Sequence, residues 1–270
     1  MPVLSRIVES LRDGSFAVKV LNRLSHIKYV PVADNADTYI ANHYRRDGWK
    51  SLSPPARKAW LEFSPVFNIY KVGTVVYAGA NVGATALALD DAFPGREFYL
   101  LEPVPQTFQD LVRNTMTRKN MHCINVAAGV DEGAQDMFVD SYSPASSLLP
   151  YESIALEEYP FLGKQVMARV CVKPLDDILR DCGVGSTDML VMDVQGYEDK
   201  VLQGGKQTLK SCKVVVSELS LQALYRGSST FDSVYQFLGS QGFRLRYLLN
   251  PMKGKSNQIL QIDGVFVRES

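Results

Sequence analysis

The sequence predicts an α/β fold built on a mostly parallel, seven-stranded sheet. Three observations predict it. From Val72 onward, short β-branched or apolar runs alternate with helical stretches, the pattern of strands joined by crossover helices. The first run, Thr74 to Ala78, stops at a glycine turn from Gly79 to Gly83, and an Ala-rich helical stretch follows. The last two runs are separated only by the Pro251–Asn257 turn, so they must pair antiparallel.

The elements follow in chain order. Residues 1–70 differ from the rest. Short helical patterns there are broken by Asp13-Gly14, Pro31, Asp47-Gly48 and Ser53-Pro54-Pro55. Pro54-Pro55 before Ala56 to Leu61 reads as a helix opened by proline. The segment holds both tryptophans, Trp49 and Trp60, and two histidines, His26 and His43. It is expected to form a helical extension packed on the sheet edge, a collar with partial lid duty; His43 reads as structural. The main domain is then 71–270. Its first strand covers about 73–78, uninterrupted by polar residues because both faces are covered. A helix is expected over 82–90, a second strand over 97–101 and a helix over 105–118. Phe108, Leu111 and Val112 have the spacing of a helix face covering a sheet. A third strand runs from His122 to Ala127 and ends in Ala128-Gly129. Ala134–Val139 and Gln165–Val172 are strand-like and flank a loop with Ser143 to Ser147. Pro174 opens a helix over 175–181, with Asp176 and Asp177 in its favourable first turn. Strand four is 188–192, followed by Asp193 to Glu198 and a helix; strand five is 213–218, and a helix over 231–239 leads to strand six, 243–248. Ile259–Val267 is the final, antiparallel strand.

Composition narrows the class. The 270 residues carry 29 basic and 29 acidic side chains, so net charge is zero. That disfavours long-range steering to nucleic acid. No apolar run reaches the roughly 18 residues of a membrane span, and the N-terminus lacks a signal-peptide core. Cys123, Cys171, Cys182 and Cys212 are scattered without a C-x-x-C pair, as expected of reduced thiols. These features predict a soluble cytoplasmic protein. The oligomeric state is open, a homodimer included.

The glycine turn separates cofactor classes. A dinucleotide site wants G-x-G-x-x-G for its pyrophosphate. Here the spacing is Gly79-x-x-x-Gly83 with Asn81 between, and the P-loop pattern is absent. The looser turn suits S-adenosylmethionine, which has no phosphate to cradle. Gly79, Ala80, Asn81 and Gly83 are the candidate backbone contacts. Glu102, followed by Pro103, ends strand two about 20 residues after the turn, where a carboxylate accepts from ribose hydroxyls. Without Glu102, a mere strand-to-helix connection would be at least as good a reading.

Ligands of such sheets sit at the carboxyl ends of the strands. Gly79, Glu102, Ala128-Gly129, Asp193 and Glu218 all fall on that edge. Transfer to an oxygen needs removal of a hydroxyl proton. Asp193 is the first choice for the base or hydroxyl positioner, with Glu198 and Glu218 as alternates. Converging carboxylates are also able to hold Mg²⁺. The metal-free base is preferred, because nothing in the sequence fixes ligand geometry.

The ordered blocks "AGANVG", "LEPVPQTFQDLVRN", "NVAAG", "VKPLDDIL", "DMLVMDVQGYEDKVLQGG", "VVVSEL" and "LQIDGVFVR" resemble FkbM-type S-adenosylmethionine-dependent methyltransferases from about Val75 to Val267. The resemblance implies a Rossmann-like class I methyltransferase fold. It also implies O-methylation of hydroxyls on sugars, glycolipids or polyketide-type natural products. Its motif positions map onto Gly79, Asn81, Gly83 and Glu102 for the cofactor, and onto Asp193 and Glu198 at the reaction edge. Tyr77 and Ala128 complete the cofactor set. Tyr77 stands where the family usually has an aspartate. Met192 and Gln195 stand where it usually has Lys and Glu, a charge-neutral double change. These departures motivate an alternative reading: a methyltransferase-fold binding or scaffold protein with weakened or lost catalysis.

Overall fold

The computed structural model describes residues 51–269. Of the expected collar over residues 1–70, residues 1–50, with His26, His43 and Trp49, lie outside the described residues. Helix α1 (Pro54–Tyr70) starts at Ser53, whose side chain accepts from the Ala56 N–H, with two prolines in the first turn. Proline tolerates that position because the first-turn N–H groups have no intrahelical partner. The main sheet then takes in β1 (Thr74–Ala78), β2 (Glu97–Leu101), β3 (Met121–Ile124), β7 (Met189–Met192), β8 (Val214–Ser220), β9 (Phe243–Lys253) and β10 (Ile259–Arg268). Their order is β3-β2-β1-β7-β8-β10-β9. All pairs are parallel except those of β10, which runs antiparallel to both neighbours. The predicted seven-stranded sheet and its antiparallel final strand are both present. Strand order reverses between β1 and β7, which creates the crevice where ligands of doubly wound sheets bind.

Side chains alternate across this sheet, so each strand feeds two cores. Val75 and Tyr77 of β1, with Val191 and Val216, pack under α1 and α2 (Ala84–Ala92). Val76 and Ala78, with Met192 and Val215, pack under α5 (Leu175–Asp181), α6 (Glu198–Gly204), α7 (Lys206–Ser211) and α8 (Phe231–Ser240). Helix α3 (Pro105–Thr115) buries Leu111 in the first core; Phe108 is partly buried against it, and Val112 is exposed.

Two expectations need correction. The third strand is two. It breaks after Ile124, and β4 (Ala127–Gly129) leaves the main sheet. Asn125 fills the break by donating from Nδ2 to the carbonyls of Glu102 and Pro103. Strand β4 pairs with β6 (Val166–Pro174), and β6 with β5 (Gly133–Val139), in a second sheet ordered β4-β6-β5. The short helix α4 (Ser153–Glu158) lies in the intervening loop. The helix after Glu198 is also split, at Gly204-Gly205, into α6 and α7. Among the described residues, no helix is long and apolar enough to cross a membrane.

Gly204 shows why the helix needs a small residue at that split. A Cβ there would stand 1.8 Å from the Gly129 carbonyl oxygen and 3.2 Å from the Pro174 Cα, both backbone atoms of the second sheet. Gly204→Ala is therefore expected to destabilise by roughly 1–3 kcal/mol, the usual cost of overpacking. Thermal melting should show this as a loss of several degrees, at about 2–4 °C per kcal/mol.

Candidate functional site

The site begins at the glycine turn. Gly79 has a left-handed backbone, φ 82°, and a Cβ there would meet the Asp193 carbonyl oxygen at 1.9 Å. Only glycine satisfies both conditions. The Gly79 and Ala80 N–H groups both donate to the Leu101 carbonyl, at 3.0 and 2.9 Å. Asn81 is also left-handed, φ 49°, which asparagine tolerates because its side chain bonds locally. Its Oδ1 accepts from the Val82 N–H at 2.7 Å and from Ser143 Oγ at 3.1 Å.

Glu102 ties this turn to β2. Its Oε2 accepts from the Asn81 N–H at 3.0 Å and its Oε1 from the Val104 N–H at 2.9 Å. The side chain is buried, and burial pushes its carboxyl up to about 7, against the pull of those two backbone bonds. A carboxylate offers about four lone-pair directions, so two remain for a ligand.

These residues border an open cleft of about 620 Å³, solvent at its mouth included. Its lining is polar at Asn81, Glu102, Ser143 and Asp193 and apolar at Val126, Ala127, Ala128, Met137 and Leu148, with Gly79, Pro103, Pro144 and Tyr197 also on it. Of the predicted cofactor contacts, Gly79, Asn81, Glu102, Pro103, Ala128 and Asp193 all reach this cleft. Gly83 lies behind it, left-handed at the start of α2, against Leu111. Ala80 is buried in the core rather than on the wall.

Tyr77 is also away from the wall. Its ring is buried in the core beneath α1, and its hydroxyl engages Thr85. Burial holds that hydroxyl far above its ordinary value, and the charges of Asp193, Asp263 and Glu218 add to the effect.

At the ends of β7 and β8 the structure collects carboxylates. Asp193 Oδ1 accepts from Gln195 Nε2 at 2.6 Å, and the same nitrogen donates to Glu218 Oε2 at 3.1 Å. Gln261 Nε2 donates to that Glu218 oxygen at 2.7 Å. Asp263 lies directly opposite Glu218 in the antiparallel register, and its Oδ2 accepts from Asn250 at 2.9 Å. Burial raises Asp193, with the Gln195 bond acting against it. Glu218 lies well above the carboxylate range, through burial and then the charges of Asp193, Glu198 and Asp263. Asp263 is raised to about 7, mainly by burial.

The predicted acids therefore separate. Asp193 faces the cleft; Glu218 is joined to it through one amide. Glu198 is fully occupied elsewhere: Oε1 accepts from the Gly196 N–H at 3.2 Å and Oε2 from Ser229 Oγ in a short bond. It is 2% exposed, is raised to about 7 by burial, and braces the loop after β7. Among the described residues no group of three His, Cys, Asp or Glu side chains is placed to hold a metal ion. Gln261, Asn250, Asp263 and the apolar pair Met137 and Leu148 carried no sequence signal, and Gln195 stands out in the sequence only as a departure from the family pattern. Strand register and side-chain direction place them.

Comparison with known proteins now adds to this geometry. The family model described as "Methyltransferase FkbM domain" matches residues 78–245. The 2-O-methyltransferase NoeI of Sinorhizobium fredii is 27% identical over 60% of this chain and 69% of its own length. The methyltransferase sdnD of Sordaria araneosa is 27% identical over 48% of this chain and 59% of its own. Among solved structures, an O-methyltransferase from Bacillus cereus in complex with SAH aligns with a TM-score of 0.45 and 10% identity. The alignment covers 87% of this chain and 97% of that one.

The raised carboxyls give a pH prediction. Glu102, Glu198 and Asp263 each titrate at about 7 in the folded chain, against ordinary values of 4.5, 4.5 and 3.8. The folded state thus holds more protons than the unfolded one above about pH 4, so stability falls as pH rises. The proton-linked contribution is complete below the ordinary values and is lost as pH rises through 7. The melting temperature is expected to fall between pH 5 and 8, with a shallower slope in Glu198→Gln. A melting temperature that climbs over that interval would contradict this account.

Proposed function

This chain belongs to the FkbM methyltransferase family, and from that premise we propose that it methylates a hydroxyl of a small acceptor such as a sugar, a glycolipid or a polyketide-type natural product. That it is an S-adenosylmethionine-dependent methyltransferase follows from the family match and its methyltransferase relatives. The observation that carries the oxygen-transfer reading is Asp193, an acidic residue that lines the cleft and whose backbone carbonyl lies against the glycine turn. A relative that is a 2-O-methyltransferase points the same way.

The residues fit the cofactor. A Cβ at Gly79 would fill the turn, Glu102 keeps lone pairs for ribose hydroxyls, and the Val126, Met137 and Leu148 wall suits an adenine ring. When bound, S-adenosylmethionine supplies a methyl group on a positively charged sulfur. Asp193 does the acid–base work. Its Oδ1 is held by Gln195, and its Oδ2 takes the proton that the acceptor oxygen loses on bonding to the methyl carbon. Burial raises Asp193, against the pull of the Gln195 bond, and so strengthens it as a base.

A second reading, a binding protein on this fold with weakened catalysis, draws on Tyr77. It is buried in the core, so nothing at that position replaces the aspartate usual in the family.

Calorimetry and variants separate the two. Wild type is expected to bind S-adenosylhomocysteine at micromolar Kd, and Glu102→Ala to lose at least tenfold. Asp193→Asn should bind within about threefold of wild type while methyl transfer falls by about 10²–10⁴, the usual contribution of a positioned base. Binding with no transfer to any hydroxylated acceptor in wild type would favour the binding protein. No binding to folded wild type would end the enzyme reading.

A further inference from the structure

Gln195 donates hydrogen bonds to both acids nearest the reaction edge, Asp193 and Glu218. A primary amide has two N–H donors and one carbonyl acceptor. Here both donors go to carboxylates, Asp193 Oδ1 at 2.6 Å and Glu218 Oε2 at 3.1 Å. The carbonyl Oε1 accepts from the Tyr225 hydroxyl at 2.7 Å. The opposite amide orientation would set an oxygen against two carboxylates, so the surroundings select this one.

The backbone is equally committed. Gln195 is left-handed, φ 54°, an unfavourable conformation for a residue other than glycine or asparagine. Its carbonyl accepts from Ser147 Oγ at 2.7 Å. Tyr225 is itself buried and shares its hydroxyl proton with the Ala145 carbonyl at 3.1 Å. The amide is thus held at both ends.

We infer that Gln195 is a positioning residue for methyl transfer: its amide bridges Asp193 and Glu218, fixes Asp193 through Oδ1 with a bond that favours the charged form, and leaves Oδ2 to the acceptor. The inference rests on the O-methyltransferase reading above. Among the described residues, the titratable groups that act on or are acted on by the pair are acidic or phenolic: Tyr77 on β1, Glu102 after β2, Tyr159 after α4, Glu198 on α6, Tyr225 in the loop before α8, and Asp263 on β10. Lys58 on α1 acts on Glu62 and Asp263. The donors that reach Asp193 Oδ1 and Glu218 Oε2 are amide N–H groups, from Gln195 to both and from Gln261 to Glu218. A glutamate at this position would offer one proton at most and add a third carboxylate.

The test reads protonation directly and needs no acceptor. Infrared difference spectra follow the carboxylic-acid carbonyl band from pH 5 to 9 in wild type, Gln195→Leu and Gln195→Glu, with and without saturating S-adenosylhomocysteine. Asp193→Asn identifies the Asp193 band. In Gln195→Leu the band is expected to persist to a pH higher by about one unit or more, as loss of a hydrogen bond to the charged form requires. Gln195→Glu should shift it the same way, and it decides the question if the leucine variant does not fold. Superimposable Asp193 titrations in wild type and variant would overturn the proposal. Calorimetry on the same samples should give S-adenosylhomocysteine affinities within about threefold of one another. Failure of wild type to bind would count against the enzyme reading alone, since the spectra without ligand still decide the role of Gln195.

Discussion

The attachment of the glycine turn to the end of β2 sets the geometry of everything above the sheet. One carbonyl, that of Leu101, receives two successive N–H groups of the turn, and the next side chain, Glu102, receives a third. Burying a carboxylate is costly unless it is hydrogen-bonded. Here the bonds that satisfy it also hold Asn81 left-handed. From the other side the turn is limited by the Asp193 carbonyl, which leaves no room for a Cβ at Gly79. The turn is therefore clamped between the strands on either side of β1, and cofactor wall and proposed base share one rigid reference.

Much of this was legible in the sequence, and the reasons are physical. Uninterrupted apolar runs mark strands covered on both faces, and the main-sheet strands fall within a few residues of where those runs stand. Glu97–Leu101 coincides with its expected bounds. Glu102 and Asp193 were legible because strand ends in a parallel sheet point at one edge. The second sheet was not, because β4 follows β3 after only Asn125 and Val126, and continuity of sequence conceals a change of partner. Asp263 was hidden for a different reason. It lies mid-strand, and only the register of β10 on β8 sets it opposite Glu218. Glu198 had the right residue type near the right edge, but its side chain turns to Gly196 and Ser229 instead.

At the ends of β7 and β8 an amide separates two acids: Gln195 stands between Asp193 and Glu218. Asn250 stands in the same way between Glu62 and Asp263, where Lys58 also reaches Glu62 at 3.7 Å. An amide donates without adding charge. Met192 takes no part in this arrangement: its side chain points into the opposite core and is fully buried.

The pairing of β1 with β7 has a consequence for how the chain is made. The central strand cannot be completed until Met189–Met192 exists, and Asp188, which accepts from the Gly73 and Thr74 N–H groups, lies 115 and 114 residues downstream of them. At roughly 5–20 residues per second, a ribosome leaves that edge of β1 without its partner for about 6–23 s. During that time an apolar strand with unpaired backbone groups is a template for pairing with other chains. Contacts of such long sequence separation are also slow to close after synthesis. The architecture that brings the proposed base against the cofactor turn thus leaves the nascent chain with an open strand edge until Met189–Met192 has been made.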